Sequence, residues 1–310
     1  SSGDVYFDST APVVYGLETT SDEDYPSLYV TQPNTVLTVN QSFDSNFQGD
    51  FYSEAVPDNF RIVKTGSGTL NLAEVGFYPL NGTVEATLPG SPQVMVQVNS
   101  GKLVFTDVWF SSNAPTIWVH GGMLAFDHFN STYSNPVVVD NSGRLSGVGG
   151  SFGSVTVSST GILSPGVAGP SDVGALHFSN MTLMAGGVLE WNLRNPDQGG
   201  GDGFDIVTVS TQLTVDASVA PGTPFTLKLI SLGASGNPGT AVGFLNQPYT
   251  WTLFSASSLV FGGGSFNPAA FTIDSSSFTT DVGPGTFAFS QSGSMLQLTF
   301  TPVPEPSTYA

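Results

Sequence analysis

The sequence predicts an all-β protein, built largely as a β-solenoid and closed by a C-terminal β-sandwich-like capping region. Three observations predict it. Charged residues make up only 10% of the 310-residue chain, while 37 Gly and 21 Pro accompany abundant Ser, Thr, Val and Phe, a composition of pleated strands and tight turns. A Gly-x-Leu step followed by alternating apolar residues recurs through the middle of the chain. Aromatic-rich alternating segments with Gly, Asn and Pro turns then fill the C-terminal third.

The size and apolar content, 39% hydrophobic, are ample for a buried core. With no cysteine, disulfides, thiolate catalysis and Cys-based zinc sites are all excluded, so burial and strand pairing must hold the fold. Twenty-four carboxylates against six Lys plus Arg give a net charge of −18, whose field repels nucleic acid and anionic lipid. No apolar run reaches the roughly 20 residues of a membrane helix, and a start at Ser1 without Met reads as a mature, exported form.

The repeats are Gly68-Thr69-Leu70, Gly101-Lys102-Leu103, Gly122-Met123-Leu124, Gly143-Arg144-Leu145, Gly161-Ile162-Leu163 and Gly187-Val188-Leu189. Their glycines are 33, 21, 21, 18 and 26 residues apart, the length of single solenoid coils with one longer insertion. Each coil needs a turn residue free to take positive φ and then an inward Leu stacked on its equivalent, so Gly is expected to supply the turn and Leu the core. Hairpins of an ordinary sandwich give loose periodicity too, and that alternative stays open.

Lys64-Thr65-Gly66-Ser67-Gly68-Thr69-Leu70-Asn71-Leu72 resembles the opening of the autotransporter-associated β-strand repeat. Asn141-Ser142-Gly143-Arg144-Leu145-Ser146-Gly147-Val148-Gly149 and Ser159-Thr160-Gly161-Ile162-Leu163-Ser164-Pro165-Gly166 are similar to its closing coils. The resemblance covers roughly residues 60 to 215 and implies a right-handed parallel β-helix in an exported region. The chain departs from that family in its few, irregular copies. Val303-Pro304-Glu305-Pro306-Ser307 resembles the sorting signal of PEP-CTERM proteins, which implies export and handling by an exosortase-type processing enzyme. The membrane helix and basic tail that follow the motif in that family do not follow it here.

Four regions result: an acidic N-terminal cap or docking arm (1–60), the solenoid (61–215), the C-terminal β region (216–300) and the sorting-motif remnant (301–310). The first carries Asp4, Asp8, Glu18, Asp22, Glu23 and Asp24 and no Gly-x-Leu step. The third contains Pro224-Phe225-Thr226-Leu227-Lys228-Leu229-Ile230, Tyr249-Thr250-Trp251-Thr252-Leu253-Phe254 and Met295-Leu296-Gln297-Leu298-Thr299-Phe300. It would cover an open terminal coil, which is an unpaired sheet edge.

Candidate chemistry is sparse. Gly200-Gly201-Asp202-Gly203-Phe204-Asp205-Ile206-Val207-Thr208 fits one copy of the calcium-binding nonapeptide, making Asp202 and Asp205 candidate Ca²⁺ ligands, with Asp197 nearby. A single copy supplies ligands from one turn where such sites draw on two, so a plain Gly-rich loop is the rival reading, and no other cofactor is expected. Asp22-Glu23-Asp24 reads as a solvated loop by the same reasoning.

Parallel β-helices that degrade polysaccharides need paired acids. The solenoid offers Glu74, Glu85, Asp107, Asp127, Asp140 and Glu190, with Lys64, Lys102, Arg144 and Arg194, in no recognisable constellation. Glu190, next to inward Leu189, is expected to face outward and alone. His120, His128 and His177 lack metal-ligand spacing, and no Gly-x-Ser-x-Gly elbow with appropriate partners can be defended. The four Asn-x-Ser/Thr sequons, at Asn40, Asn81, Asn130 and Asn180, are what chance gives in so Ser/Thr-rich a chain.

The expectation is therefore a non-enzymatic structural protein, secreted to the outer surface of a bacterial cell or its matrix, that forms homo-oligomers or head-to-tail homopolymers. The competing expectation is an adhesin for extracellular polysaccharide, with Trp109, Trp118 and Tyr133 stacking on sugar rings.

Overall fold

A computed structural model of the protein describes residues 3–20, 25–54, 60–79, 94–110, 116–132, 134–167, 169, 171–216 and 223–303. These are all-β, with long parallel sheets and a single 3₁₀ turn at Pro268–Ala270. No helix among the described residues is long and apolar enough to cross a membrane.

Three parallel ladders carry the structure. The first pairs Val5–Phe7, Ser27–Val30, Asp50–Ser53, Gly76–Pro79 and Trp109–Phe110 in that order. The second runs from Val13–Val14 through Val36–Asn40, Arg61–Thr65, Val94–Val98, Thr116–His120 and Val137–Asp140 into the later strands. The third runs from Ser45–Phe47 through Thr69–Ala73, Lys102–Thr106, Met123–Thr132, Arg144–Val157, Ile162–Pro165, Val188–Leu193 and Phe225–Ser231 to Phe271–Ser277. From Val36 to Phe110 the chain passes through the second, third and first ladders in turn, and after Trp109–Phe110 it alternates between the second and third, each strand pairing in parallel with one that follows it in the sequence.

The register places the six motif leucines in one column: Leu70, Leu103, Leu124, Leu145, Leu163 and Leu189, followed by Leu227. All are at most 1% exposed. Leu37, Ile62, Val96, Ile117, Val137, Val155, Met181 and Leu213 form a second inward column in the second ladder. Each such side chain contributes about 1.5–3 kcal/mol on burial, and both columns belong to one continuous core. The interval of 33 residues between Gly68 and Gly101 contains residues 80–93, which lie outside the described residues.

The motif glycine does not act as expected. Of the six, only Gly101 has positive φ; the left-handed residue stands one place earlier, at Gly121, Ser142, Thr160 and Gly186. The glycine is needed because a neighbouring backbone segment is so close. A Cβ on Gly143 or Gly161 would lie 2.1 Å from the carbonyl oxygen of Val119 or Val139.

The ladders also cross the boundaries that composition suggested. Strands before residue 60 pair in register with those after it. The third ladder continues past residue 215 to Ser277. The aromatic residues that change the chain's character there, Phe225, Trp251, Phe254 and Phe271 among them, fill the same core. Among the described strands, antiparallel ladders form where Met295–Thr301 joins both Tyr249–Phe261 and Thr286–Ser292, beside isolated antiparallel bridges such as Gly147 to Gly166.

Candidate functional site

The outer face of the first ladder carries the most distinctive surface. Strand alternation turns Leu28, Phe51 and Phe77 inward and leaves Tyr6, Tyr29, Tyr52 and Tyr78 outward, in register across four strands. Their rings stack: centroids are 4.7 Å apart for Tyr6 and Tyr29, 5.1 Å for Tyr29 and Tyr52 and 5.1 Å for Tyr52 and Tyr78, with planes 11°, 16° and 16° apart. Strand spacing of ~4.8 Å imposes this repeat.

Trp109 extends the column. It pairs with Gly76, and a Cβ on Gly76 would lie 2.6 Å from Trp109 Nε1 and 2.3 Å from the Tyr78 ring, so the missing side chain makes room for the indole. Trp109 Nε1–H donates to Tyr78 Oη at 2.5 Å. Asp50 anchors the middle, accepting from Gly76 N at 3.0 Å and from Tyr52 Oη–H at 3.1 Å. Burial first, then the Asp50 charge, pushes the Tyr52 phenol up to about 12. Tyr25, which donates to the Glu74 carbonyl, is pushed up to about 12 by the same two causes in the same order.

A second cluster lies on the outer face of the third ladder. Glu190 does not stand outward and alone as its place beside Leu189 predicts; it is buried at 2% exposure. Arg144 Nε and Nη2 donate to Glu190 Oε2 and Oε1 at 3.0 and 2.9 Å, and Lys228 Nζ donates to Oε1 at 3.2 Å. Its side chain does leave the outer side of the strand, but that side is covered. Gly166, Val167 and Asp172 are bonded to the strands nearby: Lys102 Nζ donates to Val167 O at 3.1 Å, Ser146 Oγ to Gly166 O at 2.5 Å and Asn192 Nδ2 to Asp172 O at 2.8 Å. Burial alone would raise the Glu190 pKa, but the Arg144 hydrogen bonds and charge, with those of Lys228, outweigh it and hold the carboxyl below the usual range.

The two calcium candidates are placed differently from one another. Asp202 is exposed on a turn, where its backbone carbonyl accepts from Arg194 Nη2. Asp205 is fully buried. Its Oδ1 accepts from Gly174 N at 2.8 Å, and its Oδ2 accepts from Asn192 N at 2.8 Å and Asn192 Nδ2 at 2.9 Å. Burial pushes this carboxyl well above the carboxylate range, against the pull of the Asn192 and Gly174 N–H groups. Both oxygens thus face protein donors. No group of three or more metal-ligating acids or histidines occurs among the described residues.

Of the remaining candidates, His120 Nδ1 meets Asp140 Oδ1 at 2.7 Å, and Trp118 Nε1–H donates to the same oxygen at 2.9 Å. Lys64 points into the core between Val39 and Val98, its Nζ donating to Thr65 O at 2.7 Å. Glu74 and Asp107 occupy exposed left-handed positions. Asp22, Glu23, Asp24, Glu85, Tyr133 and Pro304 to Ser307 of the sorting motif lie outside the described residues, as does the His128 side chain; Val303 is exposed after the last strand. The tyrosine column has a sequence signal. An apolar-Tyr pair recurs at Val5-Tyr6, Leu28-Tyr29, Phe51-Tyr52 and Phe77-Tyr78, with tyrosines 23, 23 and 26 residues apart.

No family model matches the chain, and no curated protein matches it.

Proposed function

We propose that the protein is a right-handed parallel β-helix serving as a structural rod, secreted to a bacterial surface or matrix, and that copies join head-to-tail into filaments. The observation that carries this reading is the ladders themselves. Strands stacked in long parallel ladders make a stiff body, and parallel crossovers are right-handed in ~98% of cases. Among the described residues the strands at the ladder ends pair along one edge: Val5–Phe7 only with Ser27–Val30, Val13–Val14 only with Val36–Asn40, and Phe271–Ser277 only with Phe225–Ser231. Such edges template further pairing, and a heterologous contact that does not close gives a filament. The PEP-CTERM-like motif beginning at Val303 supports export and exosortase-type processing, and the repeat-like coils support a passenger-type role.

The polysaccharide-adhesin reading fares less well. Sugar stacking needs free aromatic faces, and the tyrosine column turns its faces on one another, while Trp118 is tilted against His120 with ring centroids 4.7 Å apart. The test is electron microscopy with sedimentation over a range of concentration and salt. With a charge of −18 the rods repel side by side, so added salt, which shortens the Debye length to ~10 Å at 0.1 M, is expected to lengthen filaments one molecule wide. Monodisperse monomers at high concentration in all salts would remove the proposal.

A further inference from the structure

The chain has no cysteine and so no disulfide to staple its coils. Its outer face nevertheless holds four phenols on successive strands, each ring against the next at 4.7–5.1 Å and within 16° of parallel. We infer that the Tyr6, Tyr29, Tyr52 and Tyr78 column is an oxidative modification site, at which neighbouring side chains join as dityrosine and tie successive coils together covalently. This concerns a single chain and stands apart from the filament reading.

The chemistry requires a peroxide, acting through a peroxidase or an equivalent one-electron oxidant. Each of two tyrosines gives up one electron and its phenolic proton. The two radicals form one carbon–carbon bond between ring positions ortho to the hydroxyls. Each ortho carbon then loses its proton while each oxygen regains one, restoring both phenols. The two electrons and two protons removed overall reduce one hydrogen peroxide to two waters.

Three features of the column favour this over random coupling. The register already holds the reacting rings side by side, so the step is intramolecular and needs side-chain movement alone. Tyr52 Oη–H is hydrogen-bonded to Asp50 Oδ2, a base placed to take the phenolic proton as the electron leaves. Tyr6, at the end of the stack, is 54% exposed and gives an oxidant access to the column.

The experiment treats the folded full chain, at a dilution where collisions between molecules are rare, with peroxidase and hydrogen peroxide. Dityrosine fluorescence and mass mapping of the digested product are the readouts. The expected products join Tyr6 to Tyr29, Tyr29 to Tyr52 and Tyr52 to Tyr78 within one chain. Tyr52→Phe keeps the ring and the stack but removes the phenol, so it should lose the two products that include position 52 and keep the first. Coupling confined to Tyr15, the 73%-exposed tyrosine outside the column, would overturn the inference. So would the same product map from urea-unfolded protein. The map of the unsubstituted chain decides even if Tyr52→Phe folds poorly.

Discussion

Arg144 and Glu190 meet diagonally across an intervening strand. Arg144 is in register with Ile162 and Ile162 with Val188, two residues before Glu190, and the guanidinium spans this gap with paired hydrogen bonds of 3.0 and 2.9 Å. Such a bidentate pair fixes the offset of the outer strands as well as contributing energy. Lys228, paired with Glu190 in the next strand, completes a cluster around one buried carboxylate.

Glu190→Gln should therefore destabilise the protein. Removing one partner of a buried pair costs ~3–5 kcal/mol, but the Arg144 and Lys228 side chains are 27% and 33% exposed and keep part of their hydration, so about 2 kcal/mol is expected by urea denaturation. The pH dependence has a definite sign. The folded pKa of Glu190 lies below its unfolded value of ~4.3, so its contribution is complete above that value and is lost as pH falls through the folded pKa. Glu190→Gln should lack this acid limb.

Thr160 should respond in the opposite direction. It holds φ at +64°, a left-handed conformation that costs a β-branched residue ~1–2 kcal/mol. Thr160→Gly relieves that cost and gives up the 3.3 Å hydrogen bond from Ser142 N to Thr160 Oγ1. A net gain of about 0.5–1 kcal/mol is expected, read as a raised urea midpoint. A lowered midpoint would mean that the hydroxyl holds the turn.

How much of this was legible depended on which side of the strand a residue faces. The leucine column could be read because each Leu follows its Gly at a fixed offset and every copy turns inward, so one physical requirement repeats in the sequence. The tyrosine column repeats as regularly, but no core demands it, and its apolar-Tyr signature is short. Glu190 shows the limit of alternation. Leu189 predicts its side of the strand, yet its burial goes with partners on distant strands, Arg144 and Lys228, information carried by no neighbouring residue. The role of the glycines is hidden in the sequence for a related reason: close backbone approach is a property of two segments at once.

Lys64 gives a further test of what the core tolerates. It stands between Val39 and Val98 in an inward column and is fully buried. Burial holds its pKa below the usual lysine value, with the Asp44 charge opposing. Lys64→Met fills the same space without a charge, and the carbonyl of Thr65 still accepts from Gln41 N at 3.1 Å. The variant is expected to match or exceed the parent by about 1 kcal/mol. In the parent, stability should rise with pH between the lowered folded pKa and the unfolded value of ~10.4, and Lys64→Met should show no such rise.

The sharpest test of the close backbone packing compares two glycines. At Gly161 a Cβ would stand 2.1 Å from the Val139 carbonyl oxygen and 2.7 Å from its carbon. Those atoms belong to a backbone fixed by its own pairing with Val119 on one side and Val157 on the other, so no flexible side chain can yield. Gly161→Ala must push two coils apart, and the damage passes into both ladders beside it. A loss of about 3 kcal/mol or more is expected, at the upper end of overpacking costs, visible as a large drop in urea midpoint. At Gly199 nothing lies within 4 Å and φ is not positive, so Gly199→Ala should change stability by no more than about 0.5 kcal/mol. Equal responses at the two positions would mean that the coils are not packed at the spacing on which both inward columns depend.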